Sequence, residues 1–85
     1  MSSMENKIIL ASLAMDLKRV ALGLHRKSAN MADRFLTEAI KRRDEVNIDD
    51  VAPYMKTILG HIDSIHNAED ALMYSTRIQN YILYK

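Results

Sequence analysis

The stretch Arg43-Asp44-Glu45-Val46-Asn47-Ile48-Asp49-Asp50 is polar, carries no apolar period and lies almost at the middle of the 85-residue chain. The sequence on either side of it has helical periodicity. Asp49 or Asp50 offers an N-cap to a helix on its C-terminal side, because an aspartate oxygen can accept from the first free backbone N–H groups of a helix. Pro53 then falls in the first turn, where its missing N–H leaves no bond unmade.

Before this break, Leu10, Leu13, Leu17, Val20, Leu24, Met31, Phe35 and Ala39 follow one another at steps of three, four or seven. At about 100° per residue they share an arc of about 100°. The phase survives Gly23 and Ser28, which argues for one long helix over 3–44. After the break, Val51, Met55, Ile58, Ile62, Ile65, Leu72, Thr76 and Leu83 form a second stripe. Lys56, Asp63, Asp70 and Arg77 recur every seven residues on its polar side. This predicts a second helix over 50–84. Two sites argue against continuity. Ser28 is a competent N-cap, and Asn67-Ala68-Glu69-Asp70 resembles a capping box.

The expected fold is all-α, with residues 1–85 forming a single helical domain. The favoured form is an antiparallel hairpin of two long helices that dimerises into a four-helix bundle. The alternative is a compact monomeric bundle of four short helices, broken near Ser28 and Asn67. Surplus apolar surface favours the dimer. Met15, Leu22, Leu36 and Ile40 widen the first stripe, and Ala71, Ile78 and Ile82 lie across from Val51. Burying one Leu or Ile contributes about 1.5–3 kcal/mol, so such a surplus calls for a neighbouring helix. The expected interface is Leu13, Leu17, Leu72, Ile78, Tyr81 and Ile82, at the open end of the hairpin. Near the turn, Lys41, Arg42, Arg43, Asp44, Glu45, Asp49 and Asp50 read as solvated.

Composition narrows the chemistry. Apolar residues are 48% and charged residues 27%, which excludes wholesale disorder. Cysteine is absent, which removes disulfides, thiolate metal sites and cysteine nucleophiles. The two glycines cannot build a phosphate-binding loop. The run Ile8-Ile9-Leu10 is too short for a secretory core of about 7–15 residues or a span of about 20. A cytoplasmic protein with no membrane partner is expected. A formal charge of +1 gives no bulk attraction to nucleic acid.

Folding the hairpin about its middle brings His25 level with Glu69 and Ser28 level with His66. Glu69 interrupts an apolar stripe. A buried carboxylate without a partner costs several kcal/mol, so Glu69 is predicted to be partly buried and bonded to His25, His66 or Ser28. These four form a polar core layer that fixes register. A metal site is the lesser reading, because His66-x-x-Glu69 reverses the Glu-x-x-His order of di-iron bundles. Asp63, His66 and Asp70 are a second possible ligand set on the polar face. No metal and no cofactor are expected.

Arg19, Arg26, Lys27, Arg34 and Lys41 fall on one arc of the first helix and could track phosphates. Asp33 and Glu38 lie beside them and no aromatic interleaves. A solvated face is therefore preferred to a nucleic-acid surface. Tyr74, Tyr81 and Tyr84 cluster near the C-terminus, which suits a protein interface, with base stacking as the rival use.

Arg19-Val20-Ala21-Leu22-Gly23-Leu24-His25 has an Arg-x5-His spacing that resembles the signature of the helical HEPN nucleases. The resemblance implies that Arg19 and His25 meet RNA at a dimer interface. It covers seven residues, and Val20 stands where that family usually has a polar residue. No catalytic residue follows from composition or periodicity. The expected function is a small non-enzymatic helical interaction or assembly module. It acts through an apolar bundle surface on itself, as a homodimer, or on another protein. The rivals are a HEPN-like or metal-dependent nuclease centred on His25, and a nucleic-acid binder using the basic arc.

Overall fold

The computed structural model describes residues 3–84. Four α-helices succeed one another: α1 (Ser3–His25), α2 (Ala29–Glu45), α3 (Pro53–Gly60) and α4 (Ala68–Tyr84). Single 3-10 turns lie at Ile48–Asp50 and Ile62–Ser64. No strand occurs among the described residues. The all-α expectation holds, and the helices follow the alternative of four shorter segments, with breaks near Ser28 and Asn67, rather than the favoured two long ones. A continuous helix over 3–44 would run about 60 Å, whereas the longest dimension of the molecule is 37 Å.

The first break is set by backbone geometry at three residues. Lys27 adopts the left-handed conformation, with φ 59°. Its N–H donates to the carbonyl of Leu24 (3.1 Å), and the N–H of Ser28 donates to that of Gly23 (2.8 Å). This is the Schellman pattern, which satisfies two carbonyls at the helix end. Ser28 then caps α2, its Oγ accepting from the N–H of Met31 at 3.4 Å. Stop and start thus occupy adjoining residues. Glycine normally takes the left-handed position, since a Cβ there is strained by about 1–2 kcal/mol. Lys27→Gly should therefore stabilise the fold by about 0.5–1 kcal/mol after the extra unfolded-state freedom of glycine is subtracted. Thermal unfolding should show a midpoint a few degrees higher.

The second half breaks for similar reasons. Pro53 opens α3, as its position in the sequence predicts, but the N-cap is Ala52, without a side-chain bond. Asp49 and Asp50 do not cap α3. They lie in a 3-10 turn capped by Asn47, whose Oδ1 accepts from the N–H of Asp49 at 3.2 Å. At the start of α4, Asn67 Oδ1 accepts from the N–H of Asp70 at 2.8 Å, and Asn67 Nδ2 donates to Asp70 Oδ2 at 3.2 Å. That reciprocal pair ends any continuity through 61–67.

Helix α1 lies between α2 and α4 and runs antiparallel to both. Its Leu10, Leu13, Leu17 and Val20 are buried together with Ala39, Met55, Leu59, Ile62 and Ile78. Small residues allow the helices to approach closely. A Cβ added to Gly23 would come 2.7 Å from the backbone nitrogen of Ala32 on α2. On the α4 side, the fully buried Ser75 donates its hydroxyl to the carbonyl of Ala14 at 2.8 Å.

Polar clamps hold the connections. Asn6 is buried, accepts from the N–H of Asn47 (2.9 Å) and donates to its carbonyl (3.0 Å). Buried Asp16 accepts from Arg42 Nε at 3.0 Å. Arg43 donates to the carbonyl of Leu59 (3.0 Å) and to the carboxylates of Asp63 and Asp44. Arg42 and Arg43 are therefore half-buried ties between helices rather than solvated charges.

The residues of the expected interface fall in two groups. Leu13, Leu17 and Ile78 are wholly buried and Tyr81 nearly so, all within this one chain. Leu72 is 49% exposed, and Ile82 is half-buried at the edge of the core. In α4 the inward face is Ala71, Ser75 and Ile78, about one residue out of step with the predicted Leu72, Thr76 and Leu83.

Candidate functional site

The predicted polar layer does not assemble. Glu69 is exposed in the first turn of α4, where its charge suits the helix dipole. Ser28 is occupied as an N-cap on α2. His66 is exposed, its Nδ1 3.1 Å from the carbonyl oxygen of Ser64. His25 is the exposed last residue of α1. His25 does stay level with the start of α4, lining a groove with Ala68 and Leu72, but Glu69 turns to solvent there and Ser28 is spent on its cap. Asp63, His66 and Asp70 are also dispersed, because Asp63 pairs with Arg43 and Asp70 with Asn67. The Arg43 hydrogen bond holds the Asp63 carboxyl below the usual carboxylate range, and the same bond raises the Arg43 guanidinium. Among the described residues, no group of three or more His, Cys, Asp or Glu could hold a metal ion.

The basic arc is partly neutralised. Arg19 lies 3.5 Å from Asp16, and Lys41 lies 3.6 Å from Glu38. Arg26 and Lys27 end up in the α1–α2 turn, at one end of the molecule. An aromatic does interleave, against expectation. The guanidinium carbons of Arg19 and Arg34 lie 5.5 and 5.7 Å from the Phe35 ring centroid, within cation–π range. Arg19 thus faces α2. His25 lies on the other side of α1, lining a groove with Ala68 and Leu72 of α4. The two residues of the nuclease-like spacing do not converge on one point.

Two larger concave surfaces among the described residues lie on opposite sides of α4. The first is the groove between α1 and α4. One section, of about 460 Å³, is lined by Lys18, Ala21, Leu22, His25, Ala68 and Leu72. The next section, of about 370 Å³, is lined by Ala11, Met15, Gln79, Ile82 and Leu83. Met15, Leu22, Leu72 and Leu83 are between 40% and 71% exposed. The second surface is a cleft of about 490 Å³ between α3 and α4, where Tyr54, Arg77, Asn80, Tyr81 and Tyr84 meet. Tyr74 is elsewhere, its hydroxyl 3.2 Å from His61 Nδ1. No known protein family, curated protein or solved structure matches the chain.

Sequence reasoning passes over Asn6, Asp16 and Ser75, the buried polar residues. Asp16 carries a usable signal, since it borders the apolar stripe one turn before Val20. Tyr54 carries none. It reaches Tyr81 only because α3 is a separate helix packed beside α4.

Proposed function

We propose that the chain is a non-enzymatic helical assembly module that pairs with a second copy of itself through the α1/α4 groove. One observation carries this reading. Met15, Leu22, Leu72 and Leu83 lie exposed along one two-helix face although the core beneath them is already complete. Leu72 and Ile82 belong both to this face and to the interface predicted from sequence. A second copy suits the face because α1 and α4 are antiparallel, so a two-fold axis through it gives four aligned helices. A stable partner covers about 800 Å² per side, so the second copy must also reach exposed residues flanking the groove. Lys18 and Gln79 supply polar contacts along the groove. No helix among the described residues is long and apolar enough to cross a membrane.

Light scattering across a concentration series tests this. The expected mass at micromolar concentration is twice the 9.8 kDa of one chain. Leu22→Glu with Leu72→Glu should return the monomer with unchanged helicity, since both residues are exposed. A wild-type chain that stays monomeric up to about 1 mM would overturn the proposal. A dimer that survives the double substitution would place the contact elsewhere.

A further inference from the structure

The cleft between α3 and α4 faces away from the α1/α4 groove, so a role for it does not rest on the dimer. It gathers three of the four tyrosines of the chain. Tyr81 forms its inner wall. This ring is nearly buried, and its hydroxyl accepts from the N–H of Ala52 at 3.0 Å. That bond fixes the ring. Tyr54 stands edge-to-face against it, with centroids 5.6 Å apart at 78°. Tyr54 and Tyr84 are largely exposed, at 56% and 83%. Their rings are therefore available to a ligand rather than used in the core. Ile58 supplies an apolar patch at the base.

Two further polar side chains line the cleft, Arg77 and Asn80. Arg77 lines it, and no carboxylate lies within ion-pair distance of its guanidinium among the described residues. Asn80, one turn further along α4, offers an amide donor and an acceptor with no side-chain partner among the described residues. None of the described residues lining the cleft is acidic. Arginine is the side chain best matched to a phosphate, which it can grip with two N–H donors. Exposed aromatic rings stack on nucleobases whatever their sequence. One guanidinium and no glycine-rich loop suit a single phosphate and not a polyphosphate chain. The volume, about 490 Å³, lies in the range of small-molecule sites.

We infer that this cleft binds a nucleoside monophosphate group, free or at the end of a single strand. The base stacks on Tyr54 and Tyr84, Asn80 meets its edge, and Arg77 holds the phosphate. The phosphate comes from the ligand and no bond is made or broken.

The test is a titration of the full chain with adenosine monophosphate, adenosine, inorganic phosphate and a short oligoadenylate, read by amide and side-chain NMR shifts. Tyrosine fluorescence provides a second signal, since the chain lacks tryptophan. Saturable shifts confined to Tyr54, Arg77, Asn80 and Tyr84, at about 1 mM ligand or below, are expected with the monophosphate. Arg77→Gln should weaken the monophosphate about tenfold and leave adenosine unchanged. Tyr54→Leu should weaken both. Both residues are exposed, so the fold should survive, and circular dichroism checks that it does. Equal or tighter binding of the oligoadenylate assigns the group to a strand end, and weaker binding assigns it to the free nucleotide. No shift at these residues overturns the proposal. So does a response to phosphate alone as strong as to the nucleotide, or an Arg77→Gln variant that binds the monophosphate as the wild type does.

Discussion

Leu17→Ala should destabilise the chain by about 2–5 kcal/mol, the range for emptying a fully buried leucine site. Leu17 is wholly enclosed, in the segment of α1 flanked by α2 and α4. A domain of this size has only about 4–13 kcal/mol in total, so the variant loses a large part of its stability. Urea titration should show a lower midpoint with an unchanged slope. The decisive feature is concentration. If Leu17 served only a dimer interface, the loss would shrink as protein concentration rose. As a core residue of one chain, it should cost the same at every concentration.

Gly23→Ala should destabilise by about 1–3 kcal/mol net, although alanine is the better helix former by about 1 kcal/mol. The new methyl would lie 2.7 Å from the Ala32 nitrogen and 3.1 Å from its Cα. Both are backbone atoms, so no rotamer change can make room. The ends of α1 and α2 would have to separate, and the capped turn that joins them would be strained. Gly60→Ala is the matched control. It is also helical, and a Cβ added there would meet nothing within 4 Å. It should gain a few tenths of a kcal/mol from propensity alone. Opposite signs at the two glycines would establish that proximity, and not glycine content, governs the first.

The class of fold is legible because the periodicity of α1 is strong: Leu10, Leu13, Leu17 and Val20 are buried as their spacing requires. Helix starts are partly legible: Ser28 and Asn67 cap α2 and α4 and Pro53 opens α3, whereas Asp49 and Asp50 cap nothing there. Two long helices are favoured over the four actually present for a physical reason. Once a chain reverses, the phases of the two helices are independent, so an apolar step that continues through the turn is coincidental. The usual stop signal is also missing, because the left-handed residue is Lys27 and not glycine. In α4 the error is one of face. Leu72 and Leu83 are larger than Ala71 and Ser75 and dominate any apolar count, yet the close approach of α1 admits only the small pair. The candidate sites suffer most. His25 lies level with the start of α4 as the fold-back predicts, but Glu69 faces solvent there, and the α3/α4 cleft exists only because the second half of the chain is broken.

The hydroxyl of Ser75 reaches back across 61 positions of sequence to the Ala14 carbonyl, so that contact can close only after nearly the whole chain has been made. The α1–α2 hairpin closes through a turn of a few residues and can form as soon as it has been translated, since short-range closure is fast. Its α4-facing side must then wait, uncovered, until the last quarter of the chain arrives. Throughout that interval the nascent protein displays Leu10, Ala14 and Ala21 to whatever is nearby. A message truncated after Gly60 would leave that side open permanently, giving a half-folded hairpin prone to self-association and early degradation.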